Sequence, residues 1–189
     1  VAAEKGEVAA FIVPKDAAGL TIQAGAYMGL RSAEPATLTL ESVTVPEADR
    51  LPGFDLDRLL GLSRIGQCAL AVGCCQAVME YAIPYVNERK AFGEPIAWRQ
   101  SVAFMVANMA IEIEGMRLMM LRAASRAEQG LDFHKEAYLA QLLCMEKAME
   151  IGTNGIQLFG GAGFVRDYPL EMWYRNLRSI AVLHGSLMV

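Results

Sequence analysis

The rhythm of apolar and polar positions changes once along this chain, near residue 52. Before that point apolar residues fall in short runs and period-two alternation; after it they recur at three- and four-residue spacing. Residues 8–52 therefore read as strands. They begin with the run Ala10, Phe11, Ile12, Val13, continue through a Pro-Lys-Asp turn, and resume at Leu20, Thr21, Ile22. The clearest alternation is Thr37, Leu38, Thr39, Leu40, followed by a phase slip at Glu41 and Ser42 and then Val43, Thr44, Val45. Two polar residues in a row predict a bulge or bend ahead of Pro46. About three strands are too few to close a core, so residues 1–52 are expected to form an incomplete antiparallel β-domain.

The remainder, residues 53–189, predicts four helices. The first spans 54–89, with Ile65, Leu70, Val72 and Val78 among its apolar residues and Pro84 placed to kink it. The second spans 96–129, with Phe104, Ala107, Ala110, Ile111, Leu118 and Leu121 at helical spacing and Gly115 on the same face. The third spans 134–159, with Leu139, Leu142, Leu143, Met149 and Ile156. The fourth spans 169–182, opening on Pro169 at a favoured first-turn position. Short connections make neighbouring helices antiparallel. The expected fold is thus mainly α, a C-terminal up-down four-helix bundle preceded by partial β structure.

Composition narrows the function classes. The chain has 189 residues, 54% hydrophobic and 20% charged, enough to bury a core. A net charge of -4 without basic runs argues against a nucleic-acid partner. Cys68, Cys74, Cys75 and Cys144 lack CxxC spacing and sit in apolar helical contexts, as small buried hydrophobes of a reducing compartment, so neither disulfide nor zinc is expected. Charge or glycine interrupts each apolar run before it reaches membrane-span length, and no span is expected. Val1 opens the chain without methionine, in charged strand-flanking sequence that reads as part of a longer protein. The eleven methionines, mostly on the helices, read as adaptable core.

Two stretches carry candidate chemistry. From Gly155 to Ser186 a helical run ends at Phe159, and Gly160, Gly161 and Gly163 form a turn. Pro169 then reopens a helix, and the stretch closes on His184, Gly185 and Ser186. Glycines here either let backbone approach a ligand or simply terminate a helix ahead of proline. In Asn87 to Ile96, NERKAFGEPI, basic residues and a glycine suit a helix C-terminus. An arginine beside an aromatic ring equally suits phosphate oxygens and a flat cofactor. On residues alone both choices stay open. Other chemistries lack their parts: two histidines, His134 and His184, cannot supply the Glu-x-x-His pairs of a di-iron bundle. There is no GxSxG elbow, and the glycine turn follows a helix, unlike a Rossmann turn.

Taken in order, MGLRS (Met28 to Ser32), ESVTVP (Glu41 to Pro46), RIGQCALAVG (Arg64 to Gly73), ERKAFGEPI, IQLFGGAGFVRDYPLE and YRNLR resemble the acyl-CoA dehydrogenase flavoprotein family. The resemblance runs over nearly the whole chain, from the second half of that family's middle β-domain through its C-terminal helical bundle. It implies a subunit of a homo- or hetero-tetramer, or dimer of dimers, holding FAD between subunits. Such a subunit acts on an acyl-CoA, passes electrons to an electron-transferring flavoprotein, and works in bacterial cytoplasm or the mitochondrial matrix. The segment that holds the flavin ring lies in the family's preceding half, so this stretch alone is expected to bind flavin weakly.

By the same resemblance Arg89 matches an arginine on the FAD pyrophosphate and Phe92 the aromatic beside it. Gln157, Gly160 and Gly161 match the glutamine and glycine turn at the adenosine end. Arg64 matches an arginine on the acyl-CoA side, and Ser186 a hydroxyl residue near the cofactor. The family reaction is α,β-dehydrogenation of the thioester: a carboxylate takes the α-proton while the β-hydrogen leaves as hydride to the flavin. The carboxylate is usually a glutamate at the position of His184, and in some members at that of Ser63; this chain has a carboxylate at neither. Histidine, with a reference pKa of ~6.5, suits proton transfer. The expectations are a working base at His184, a catalytically silent subunit supporting an active partner, or a substitution that marks different flavin chemistry or a decayed or misread copy; a relative passing electrons to oxygen is a separate alternative. A non-enzymatic helical assembly module is the alternative outside enzymes. The closing Leu-Met-Val departs from the family's polar, basic tail.

Overall fold

The computed structural model describes residues 2–4 and 7–183. Three short antiparallel pairs make up its β structure: β1 (Ala2–Glu4) with β2 (Glu7–Ala9), β3 (Leu20–Ala24) with β4 (Ala36–Leu40), and β5 (Lys90–Ala91) with β6 (Glu94–Pro95). Between the second and third pairs runs helix α1 (Leu56–Glu88), and after the third come α2 (Gln100–Glu128), α3 (His134–Phe159) and α4 (Leu170–Ile180).

The β3–β4 register sets Leu20 opposite Leu40 and Ile22 opposite Leu38, with Thr21 opposite Thr39 and Gln23 opposite Thr37. One face is therefore apolar and the other polar, as period two requires. The apolar face is uncovered, with Ile22, Leu38 and Leu40 all exposed. The run at 10–13 does not form the expected strand. Phe11 makes a single bridge to Arg50, flanked by hydrogen bonds from Ile12 N–H to Asp49 and from Leu51 N–H to Ala10, each 2.9 Å. Pro14 follows at once and cannot donate to a ladder. The bend at Glu41 and Ser42 is present, with Ser42 at φ 54°, but no strand forms over 43–45.

Asp55 caps α1, its carboxylate accepting from Arg58 N–H at 2.9 Å. The helix continues past Pro84 to Glu88. By length and composition α1 could cross a membrane. Its buried face, however, is the heart of the bundle. Cys75, Val78 and Ala82 of α1 are buried, as are Ala140, Cys144 and Ala148 of α3, and such small side chains let the two backbones approach. Met109, Ile113 and Met116 of α2 and Leu170, Leu177 and Ile180 of α4 complete the core. Both α2 and α4 pack on the α1–α3 pair.

The buried side of α2 is not the one its leucines suggest. Phe104, Ile111, Leu118 and Leu121 are exposed, at 58, 68, 66 and 51%. The helix is apolar on two sides, and the pliable methionines fill the core side. Leu70 on α1 and Leu139 and Leu142 on α3 likewise face outward.

Polar groups inside the bundle are paired. Gln141 donates to Gln67 across the α1–α3 interface at 3.3 Å. The four cysteines are free. Cys144 lies against Cys68, which lowers the Cys68 pKa and raises that of Cys144, while burial pushes Cys74 up to about 11. The Cys74 thiol faces the carbonyl of Trp173, whose ring meets Tyr81 edge-on at 5.7 Å.

Candidate functional site at the ends of α1 and α3

Helix α1 stops at Glu88. Arg89 still donates its N–H to the Tyr85 carbonyl at 2.8 Å, but its own backbone is extended, and its carbonyl accepts from Ile96 N–H at 2.9 Å. That bond closes the β5–β6 hairpin, in which Lys90 pairs with Pro95 and Ala91 with Glu94. The turn between them is Phe92 at φ 56° and Gly93 at φ 89°. Two positive-φ residues in a row are the hairpin pattern whose twist matches the strands. Glycine adopts it freely, whereas a phenylalanine there costs roughly 1 to 2 kcal/mol. Phe92 is nonetheless 96% exposed, so packing within this chain does not repay that cost.

An aromatic cluster holds the end of α3 beside this hairpin. Phe159 stacks on Tyr85 at 3.8 Å and on Tyr81 at 5.5 Å between ring centroids, and meets Tyr168 edge-on at 5.6 Å. These contacts tie the last turn of α3 to the last turns of α1. As a result Phe92 and Gln157 line one cavity of about 420 Å³, together with Ile96, Arg99, Ser101 and Leu158. Arg99 reaches it from the start of α2, after a 3-10 turn over Ile96–Trp98 that exposes Trp98. Its guanidinium lies 5.6 Å from the Phe92 ring centroid and 3.1 Å from a Glu94 carboxylate oxygen.

Beyond Phe159 the chain turns at Gly160, φ 56°, into a 3-10 segment over Gly160–Phe164. No atom lies within 4 Å of where a β-carbon would stand on Gly160 or Gly161, so the backbone there faces open space. Gln157 also borders a second cavity of about 360 Å³, lined by Met28, Thr153, Phe164, Tyr174 and Arg175 among others.

The wall of that second cavity joins the β structure to α4. Arg175 forks onto Glu171 at 2.7 and 3.1 Å and donates to the Met28 carbonyl at 2.6 Å. Leu30 N–H donates to the Asn176 side chain at 2.8 Å. The Arg175 guanidinium holds the Glu171 carboxyl below its ordinary pKa, and Glu171 raises that of Arg175.

The structure thus gathers Phe92 and Gln157 at one cavity, with Gly160 and Gly161 next along the chain. Arg89 is exposed at the end of α1 and is not among the residues lining that cavity. Arg64, half-buried on α1 next to Ser63, stacks on Tyr138 of α3 at 5.7 Å and belongs to neither cavity. His184 and Ser186 lie outside the described residues. Arg99 was not anticipated from the sequence, where it falls in the first turn of the helix expected over 96–129. The proximity of ERKAF in the chain is the signal that could have drawn it in.

Residues 55–189 match the sequence model of a family described as "Acyl-CoA dehydrogenase, C-terminal domain". A probable acyl-CoA dehydrogenase, YngJ, of Bacillus subtilis is 38% identical over 189 residues, covering 96% of this chain and 50% of that protein. The solved structure of butyryl-CoA dehydrogenase from Megasphaera elsdenii superposes with a TM-score of 0.88 at 29% identity, over 94% of this chain and 48% of that one. A structure titled "PigA with FAD and proline" gives 0.86 at 26% identity, over 94% and 48%. The chain spans about half the length of the relatives it matches.

Proposed function

The chain belongs to the acyl-CoA dehydrogenase family, and from that membership we propose that it is part of an FAD-dependent enzyme catalysing α,β-dehydrogenation of an acyl-CoA thioester. In that reading residues 1–52 belong to a β-domain and residues 53–189 form the helical domain. The observation that carries the cofactor half is the meeting of Phe92 and Gln157, distant in sequence, at one cavity whose neighbouring glycine backbone faces open space. Residues of these kinds fit FAD: a strained, exposed aromatic to pack on, an amide to hydrogen-bond, and backbone that a ligand can approach.

Phe92, Gln157, Gly160 and Gly161 would hold FAD, with Arg89 beside them at the end of α1 and Ser186 toward the C-terminus. FAD supplies the hydride acceptor of this reaction. Arg64 takes the acyl-CoA side, and its stack on Tyr138 would fix the guanidinium in place. His184 stands where the family's glutamate base stands and accepts the α-proton through its imidazole. Electrons leave to an electron-transferring flavoprotein. Further copies, or a sister subunit, complete a tetramer; the exposed Phe104, Ile111 and Leu118 on α2 give it an apolar surface to cover.

A second reading is favoured by one observation, the absence of a carboxylate at both Ser63 and His184. Here the subunit is catalytically silent and supports an active partner. Anaerobic titration of the full-length flavoprotein with acyl-CoA separates the two. A working His184 gives flavin bleaching that falls about 100- to 10,000-fold in His184→Ala. Bleaching seen only in His184→Glu supports the silent subunit. A folded full-length protein that takes up no flavin from excess FAD overturns both and leaves a helical assembly module.

A further inference from the structure

The last turns of α1 and α3 enclose a recess of about 260 Å³ that neither cavity at Gln157 includes. Tyr81, Pro84, Tyr85, Phe159 and Tyr168 line it, and its charged lining residues among those described are Glu80 and Glu88. The rings are packed on one another. Tyr81 lies parallel to Phe159 and edge-on to Trp173, and Tyr85 stacks on the other ring of the pair, Phe159, so the walls are set before a ligand arrives. The polar groups around them are left to accept. The Tyr85 hydroxyl is turned to the Phe159 carbonyl at 3.5 Å, and Gln76 takes one oxygen of the Glu80 carboxylate at 2.8 Å. Pro84 has no N–H, so the Glu80 carbonyl, four residues back, lacks its helical donor.

Glu88 is placed against local preference. It is the final residue of α1, where the helix end carries partial negative charge, and the last turn holds no basic residue. Among the described residues no hydrogen bond or ion pair engages its carboxylate. An exposed carboxylate set against the helix dipole and left without a cation is a local cost that a bound cation would offset.

Aromatic walls and a rim of acceptors are complementary to a cation that carries N–H groups. We propose that this recess receives the guanidinium of an arginine presented by a partner protein, stacked on the tyrosine rings and forked onto Glu88. A planar guanidinium lies flat on a ring while its N–H fork reaches a carboxylate, and it sheds water more readily than an ammonium. A free metabolite fits less well, because small-ligand sites enclose most of their ligand, and here Glu80, Tyr81, Pro84 and Glu88 are all exposed. An arginine anchored among tyrosines matches the energetic centre of a protein interface.

The test is ligand-observed saturation-transfer NMR on the full-length protein, as wild type, Glu88→Gln and Tyr81→Leu. The probes are a blocked glycine-arginine-glycine tripeptide, its citrulline and lysine counterparts, and methylguanidinium. The expected result is arginine-peptide binding weakened about ten-fold in Glu88→Gln, the worth of a charge-assisted hydrogen bond, and about two- to five-fold in Tyr81→Leu. Wild type should bind the citrulline and lysine peptides, and methylguanidinium, more weakly than the arginine peptide. Glu88→Gln should melt no lower than wild type, since it removes a negative charge from the helix end, so a loss of binding there is not a loss of fold. Equal arginine-peptide affinity in wild type and Glu88→Gln overturns the proposal. So does a wild type that shows no transfer to the arginine peptide, or that binds the citrulline or lysine peptide as well. Methylguanidinium bound as tightly as the arginine peptide overturns the protein partner and makes the recess a small-molecule site.

Discussion

Gly29 packs directly on the backbone carbonyl of Arg175, with no room between them for a β-carbon. Two segments at opposite ends of the sequence meet there, and the hydrogen bonds from Arg175 to Met28 and from Leu30 to Asn176 lie on either side of the contact. The glycine is fixed by this approach and not by its own backbone angle, since the positive φ of 52° belongs to Leu30.

Gly29→Ala should therefore separate the β structure from α4. Overpacking of this kind costs about 1 to 3 kcal/mol, and Asn176→Ala should cost ~1 kcal/mol by removing the acceptor for Leu30 N–H. Urea unfolding of the full-length protein measures both. A Gly29→Ala protein as stable as wild type would show that the two segments are not held together there.

The Glu171–Arg175 pair adds a pH dependence to the same junction. The Arg175 guanidinium depresses the folded pKa of Glu171, so its contribution is fully present above the unfolded value and is lost as pH falls through the lower, folded one. Stability profiles of wild type and Glu171→Gln should differ at neutral pH and converge once the pH falls from above the ordinary glutamate value to below the depressed folded one. A gap that stays constant with pH would exclude the carboxylate as its source.

At the hairpin, Phe92→Gly relieves the positive-φ strain and should leave stability unchanged or raise it by up to ~1 kcal/mol. FAD affinity should fall in the same variant. Opposite movements of melting temperature and flavin affinity would identify Phe92 as a residue kept for the ligand; a fall in both would make it a structural residue.

The buried Gln67–Gln141 pair gives a test inside the bundle. Gln67→Leu or Gln141→Leu alone strands one buried amide and should cost about 1 to 3 kcal/mol, while the double replacement should approach neutrality. Chemical denaturation of the three variants closes the cycle. Additive losses would show that the two amides do not depend on each other.

Element positions were largely legible in the sequence. The third helix was expected over His134–Phe159 and lies there, because a phenylalanine-glycine boundary and a loop aspartate mark its ends. The second begins at Gln100 and not at Ile96, since Pro95 leads into a 3-10 turn. The buried face of α2 was misread. Periodicity reports that Phe104, Ile111 and Leu118 share a side, but a helix apolar on two sides does not declare which one meets its neighbours. At the candidate site, motif order singled out Phe92 and Gln157, which the structure places at one cavity. Arg99 escaped because its neighbour is fixed by the β5–β6 turn, which brings Phe92 under the guanidinium.

The two tryptophans differ in exposure and give the protein two optical readouts. Trp173 sits within the bundle against Tyr81 and Cys74, so its emission follows the integrity of the helical core. Trp98 is 73% exposed in the turn that delivers Arg99 to the cavity. A flavin seated there would quench Trp98 by energy transfer, and a Trp173→Phe protein would report occupancy by fluorescence alone, without turnover.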